Sequence, residues 1–195
     1  MYTPFAERTH EEMKDVLMYP EAIGPQVHYY MIRGGTDKTN VTILENGTVG
    51  GEYIKAYGHY HAYPFIETYT IVSGEGILLL QTRKKDAQGK FIDDSIESIS
   101  ATFVAAGDTI KIPEDCGHLL VNIGSHWLVT IDDSPVNLTE TNAVKAPSHA
   151  DYEPMRRLRG FAYYVIEENG KPIFVKNPMY TEVPPITIFS RKETH

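Results

Sequence analysis

The chain has 195 residues, 26 Asp and Glu against 18 Lys and Arg, a formal net charge of -8 and one cysteine. That length suits one domain with a full core, and the lone Cys116 excludes an intramolecular disulfide and fits a reducing compartment. The acidic balance lacks the basic footprint of a nucleic-acid binder, no apolar run approaches the roughly 20 residues that span a bilayer, and no signal peptide is read at the N-terminus, so a soluble cytoplasmic protein without membrane partners is expected.

Residues 1–27 read as an arm in which Thr9 caps a short helix over residues 10–18, stopped by Pro20. The arm is too short to own a core and is expected to dock on a second chain. Strands are then predicted over residues 27–32, ending at Arg33-Gly34-Gly35, and over 40–44, ending at Glu45-Asn46-Gly47 with its Asn-Gly hairpin signal. Residues 52–57 lead to Gly58. Residues 68–72 and 76–82 flank a Gly74-Glu75-Gly76 turn. The basic cluster Arg83-Lys84-Lys85 reads as the start of a solvated loop, 83–89. Further strands fall near 96–103, at 108–112 before Pro113, at 118–122 and at 127–131. Short strands at near-regular intervals with turn signals between them indicate a sandwich or barrel.

Residues 132–154 are polar and rich in Pro, Asn and Thr, which marks a long excursion or lid. Residues 161–166 and 173–175 form a final hairpin, and the last dozen residues are a tail or pack on a partner. The expected division is an arm at 1–27, a barrel at 28–180 and a tail at 181–195.

Gly58-His59-Tyr60-His61 places two imidazoles two residues apart, and on a strand such residues share a face. Glu67 follows six residues after His61, past Pro64, on the next strand. Gly107, Pro113, His118 and Asn122 form a second set that presents His118. Taken singly, each histidine is ordinary. Together, three imidazoles and a carboxylate from separate strands make an N/O site for one divalent ion, Fe(II), Mn(II), Ni(II) or Zn(II), with positions left for substrate oxygens.

These two stretches resemble the two motifs of the cupin barrels. The chain resembles more closely the cupin-type glucose-6-phosphate isomerases of archaea and some bacteria. The likeness runs over roughly residues 27–180, through Asn40-Val41-Thr42-Ile43-Leu44, Gly58-His59-Tyr60-His61-Ala62, Gly76–Thr82, His118–Gly124, the hairpin from Phe161 through Gly170, and Asn177-Pro178. The resemblance implies an all-β cupin barrel with a short N-terminal helical arm. It implies one metal per chain, iron first among the candidates, on His59, His61, Glu67 and His118. It also implies a sugar-phosphate substrate, a place in glycolysis and gluconeogenesis, and a homodimer.

In that family the Glu67 equivalent is the usual candidate for catalytic base. Tyr69 matches a tyrosine two residues beyond it, and Thr42 a phosphate-contacting threonine. Gly58 is carried over with the Gly-His pair as a substrate contact, and His149 with Asp151-Tyr152 resembles a His-Asp-Tyr element. Two positions depart: a second phosphate-contacting threonine falls at Ala56, and a tyrosine expected after residue 131 is replaced around Asp132. A non-catalytic sugar-binding cupin and a metal-dependent dioxygenase remain the alternatives.

Overall fold

The computed structural model describes residues 5–34 and 39–190. The arm opens with strand β1 (Phe5–Thr9), followed by helix α1 (His10–Met13) and one 3-10 turn, Lys14–Val16. Thr9 caps α1 as the sequence predicts. Its hydroxyl accepts the Glu12 N–H at 3.4 Å, and the Glu12 carboxylate accepts the Thr9 N–H at 2.8 Å. The helix stops short of residue 18 because Leu17 is extended, and Val16 and Leu17 are buried in the core. The arm does not wait for a second chain. β1 pairs antiparallel with β2 (Val27–Ile32) of the same chain.

β2 and β3 (Asn40–Leu44) have the predicted bounds, and β4 (Thr48–Val49) turns back on β5 (Glu52–Tyr53). Then come β6 (Tyr60–His61), β7 (Glu67–Ser73), β8 (Glu75–Lys85), β9 (Phe91–Ala105), β10 (Thr109–Ile112), β11 (Cys116–Asn122) and β12 (Leu128–Asp132). The excursion holds β13 (Ala150–Asp151) and leads to α2 (Glu153–Arg157). The chain closes with the hairpin β14 (Tyr163–Glu168) and β15 (Lys171–Lys176), then β16 (Thr187–Phe189). One sheet has the order β1-β2-β3-β12-β7-β10 and the other β11-β8-β9-β16. Met31, Leu44, Ile71 and Leu128 of the first share one buried cluster with Ile77, Leu79, Ala101 and Leu120 of the second. The two sheets therefore enclose a common core, the cupin barrel that the sequence implies. Gly74 makes the turn between β7 and β8 at φ +84°, and a Cβ there would sit 2.6 Å from the Trp127 carbonyl oxygen, so only glycine fits. Of the tail, β16 pairs in parallel with β9, and residues 191–195 lie outside the described range.

One local expectation is corrected. Arg83 is not in a solvated loop, because β8 continues through it to Lys85. Its guanidinium lies 3.8 Å from the Tyr60 ring centre and 4.3 Å from that of Phe91, and it pairs with Asp93. Partners on β6 and β9 make Arg83 part of the wall.

The arm is fastened by buried polar groups. Lys55 Nζ donates to the Val16 carbonyl at 2.7 Å and to Glu52, whose carboxylate also accepts the Met18 N–H at 2.8 Å. His10 Nε2 lies 3.0 Å from the Ala22 carbonyl, so it is the donor there; His10 Nδ1 then accepts from His28 Nε2 at 2.9 Å. His28 is fully buried, and burial, then the charges of His10 and Lys55, hold its pKa down to about 4. A folded-state pKa below the unfolded value means that the unfolded chain binds more protons between the two values. His28 thus favours folding fully above about pH 6.5, and that contribution, at most about 3 kcal/mol, is lost as pH falls toward 4. The unfolding midpoint is expected to drop across that window and to drop less in His28→Gln. Equal pH slopes for the two proteins, measured by thermal melts, contradict this.

Candidate metal centre and active site

His59 and His118 are backbone partners. The His118 N–H donates to the His59 carbonyl at 3.0 Å and the His59 N–H to the His118 carbonyl at 3.3 Å. Directly opposed residues project to one face, and these two rings lie 4.2 Å apart, centre to centre. His61, two residues on, joins them. The intervening Tyr60 points the other way, where its hydroxyl accepts Gln81 Nε2 at 2.6 Å. Gly58 enters the segment at φ +77°, with the Phe161 ring 3.1 Å from where a Cβ would be. Glu67 opens β7, fully buried, with Oε2 3.1 Å from His61 Nε2 and 3.3 Å from His118 Nε2. The four predicted ligand residues each offer a ligand atom, and these atoms lie within 4.8 Å of one another.

The donor set fits a cation. His59 Nε2, His61 Nδ1 and both ring nitrogens of His118 are buried without a hydrogen-bond partner among the described residues. Orphaned buried nitrogens of this kind are costly unless something ligates them. Burial holds His61 down to about 4, His118 to about 3 and His59 well below its usual range. All three are therefore neutral at pH 7, the form that ligates. Burial first, and Asp132 second, push the Glu67 carboxyl well above its usual range. The short His61–Glu67 contact therefore lacks a charged imidazole in the metal-free chain, since His61 is neutral at pH 7. A divalent cation among them favours the carboxylate.

The other predicted residues gather around this group. Tyr69 is edge-on to His118 at 5.5 Å, and Tyr152 lies 5.2 Å from His59. Burial keeps both phenols protonated, Tyr69 well above its usual range and Tyr152 up to about 12. His149 lies 5.8 Å from His59, and its Nδ1–H donates to the Pro135 carbonyl at 2.7 Å, which fixes the ring. Thr42 and Gly58 line an internal cavity of about 40 Å³ together with His59, Tyr69, His118 and Tyr152.

Sequence reading gave no role to several groups that line the cavity or flank the site. Thr130 is the cross-strand partner of Thr42 and also faces it. Tyr29, Arg33 and Tyr57 line it too. Asp132, opposite both Asn40 and Tyr69, accepts Asn40 Nδ2 at 2.7 Å and the Ser134 N–H at 3.1 Å. Phe65 stacks on His61 at 3.8 Å. The alternation of β2, with Tyr29 and Met31 buried, was the available signal for Arg33. No periodicity marks Phe65, which sits in the link between strands.

The family model described as "Glucose-6-phosphate isomerase (GPI)" matches residues 26–182. The glucose-6-phosphate isomerase of Pyrococcus furiosus is 31% identical over 140 residues, covering 71% of this chain and 62% of that protein. That of Thermococcus litoralis is 29% identical with the same coverage. The matched stretch thus spans less than two thirds of these relatives' length. Among solved structures, the Drosophila melanogaster CENP-C cupin domain aligns with a TM-score of 0.38 and 12% identity, over 58% of this chain and 74% of that one.

Proposed function

The chain belongs to the glucose-6-phosphate isomerase family, and on that premise we propose that it interconverts glucose 6-phosphate and fructose 6-phosphate with one divalent cation per chain, iron(II) first among Fe, Mn, Ni and Zn. The observation that carries this reading is the buried group of His59, His61, Glu67 and His118, of which His59 and His118 line a cavity together with Thr42, Tyr69 and Tyr152. When bound, the ion supplies Lewis-acid stabilisation of the oxyanion that develops between C1 and C2.

The rest is the work of this chain's residues. Glu67 takes the C2 proton of the open-chain aldose and returns it to C1, while a proton moves from O2 to O1. Its burial excludes water that would otherwise exchange that proton. The protonated phenols of Tyr69 and Tyr152 orient substrate hydroxyls. Thr42 and Gly58 contact the substrate, and His149 closes the wall next to His59. A space of about 40 Å³ holds a water or two, so a hexose phosphate enters only when part of the wall moves. The excursion 132–154 contributes Tyr152 to that wall. It is tied down by Arg8 to the Lys145 carbonyl at 2.7 Å and by Lys145 to Glu12 at 2.6 Å.

The assignment supports a cytoplasmic enzyme of glycolysis and gluconeogenesis, in keeping with a buried Cys116 whose thiol is pushed up to about 11. No helix among the described residues is long and apolar enough to cross a membrane. A homodimer is also proposed. β1 ends the six-stranded sheet with Phe5 exposed, an edge on which a second copy can pair. Light scattering is expected to show the dimer; a monomer at micromolar concentrations contradicts it.

The reading is tested by following fructose 6-phosphate in the presence of the metal-loaded protein, by carbon NMR, with dissolved oxygen recorded alongside. An isomerase yields glucose 6-phosphate and leaves oxygen untouched. Binding without conversion would establish the sugar-binding alternative, and oxygen uptake the dioxygenase.

A further inference from the structure

Arg33 is absent from both cupin motifs, yet it lines the cavity beside His59, Thr42 and Thr130. It follows β2, where Tyr29 and Met31 are buried two residues apart, and the same two-residue step places Arg33 on their face. Its side chain is only 12% exposed. A guanidinium so placed needs a reason, and its contacts among the described residues supply only part of one. Nη1 donates to Thr42 Oγ1 at 3.3 Å and lies 3.5 Å from Asp132 Oδ2, and Nε donates to the Val144 carbonyl at 3.4 Å. All three are long. A guanidinium paired with a carboxylate for its own sake makes two parallel bonds at about 2.8 Å.

Asp132, for its part, already accepts from Asn40 and from Ser134. Among the described residues Arg33 is therefore a loosely held fork with donors to spare. Its charge is felt by His59, Glu67, Tyr69, His149 and Tyr152, groups on several segments that surround one space. A second cation lies behind that wall. Arg8 Cζ is 5.3–5.9 Å from the ring centres of Tyr29, Tyr57 and Tyr152. A planar cation beside the threonine pair is the chemistry that recognises an oxyanion with several acceptor oxygens.

We propose that Arg33 is the specificity-determining residue that holds the anionic group of the substrate, its phosphate, beside Thr42 and Thr130. The choice of phosphate over carboxylate rests on the isomerase reading; the anion site does not. Ala56, which also lines the cavity, has no side-chain donor.

Isothermal calorimetry on Mn(II)-loaded protein tests this, with glucitol 6-phosphate as an unreactive open-chain hexose phosphate, and with glucitol and glucuronate beside it. Arg33→Gln is expected to weaken glucitol 6-phosphate by about 10- to 100-fold, the scale of a lost charge-assisted hydrogen bond. Arg33→Lys, which keeps the charge but not the fork, falls between. Glucitol binding moves by less than about twofold, which a general loosening of the fold does not give. Because Arg33→Gln leaves Asp132 buried beside a neutral group, an Arg33→Gln/Asp132→Asn double variant is measured in parallel and shows the same loss.

Parent-like affinity for glucitol 6-phosphate in either variant overturns the inference, as does no binding by the parent. Tighter, Arg33-dependent binding of glucuronate overturns phosphate as the anion. A parent that binds glucitol 6-phosphate through Arg33 but does not convert fructose 6-phosphate supports the anion site and refutes the isomerase.

Discussion

Replacing Glu67 by Gln in protein fully loaded with metal is expected to lower the turnover of fructose 6-phosphate by about 10²-fold or more, the scale of a positioned general base. Gln keeps the size and one acceptor oxygen but removes the group that carries a proton. Glu67 is fully buried at the start of β7, with His61 Nε2 3.1 Å and His118 Nε2 3.3 Å from Oε2. Metal binding is expected to weaken without being abolished, since three imidazoles remain. Binding of an unreactive analogue should change much less than turnover, which separates a lost transition-state role from a lost substrate contact. Near-parent turnover in the loaded variant would move the proton-transfer role elsewhere, to His149 or to a hydride shift between C2 and C1.

The site's ligands were legible in the sequence because both relevant periodicities are local. His59 and His61 share a face by the two-residue repeat of a strand, and Glu67 opens the strand after the turn. Bringing His118 to them needed the second set, Gly107, Pro113, His118 and Asn122, since the His59–His118 backbone pair joins residues far apart in sequence. The same distance in sequence explains what was missed. Thr130 gains its place from pairing with Thr42, Asp132 from lying between Asn40 and Tyr69, and Arg83 from Tyr60, Phe91 and Asp93. None of these partners is within reach of a local pattern. The capping box at Thr9 and Glu12 was readable because it spans three residues. The seat of the arm on the barrel was not, since it depends on Glu52, Lys55 and His28, each outside the arm itself.

The metal assignment carries the other large effect. Parent protein purified without chelators and then reconstituted is expected to hold about one divalent ion per chain, and a His59→Ala/His118→Ala double variant to hold less than a tenth of that. Two of four ligands are gone in that variant, and His61 with Glu67 offers too few donors for a tight site. Folding is checked by circular dichroism and a thermal melt, so that loss of metal is not mistaken for loss of structure. Elemental analysis showing full metal content in the folded double variant would place the ion somewhere else.

The proposed isomerase activity depends on a metal held by this chain's buried imidazole–carboxylate group. The most direct measurement is a coupled assay of fructose 6-phosphate conversion on one preparation, first stripped with a chelator and then reloaded with Fe(II), Mn(II), Ni(II) or Zn(II) in turn. The stripped protein is expected to be inactive, at least one ion to restore glucose 6-phosphate formation, and no ion to restore it in the His59→Ala/His118→Ala variant. Conversion that persists in the stripped protein, or its absence with every ion, would contradict the claim.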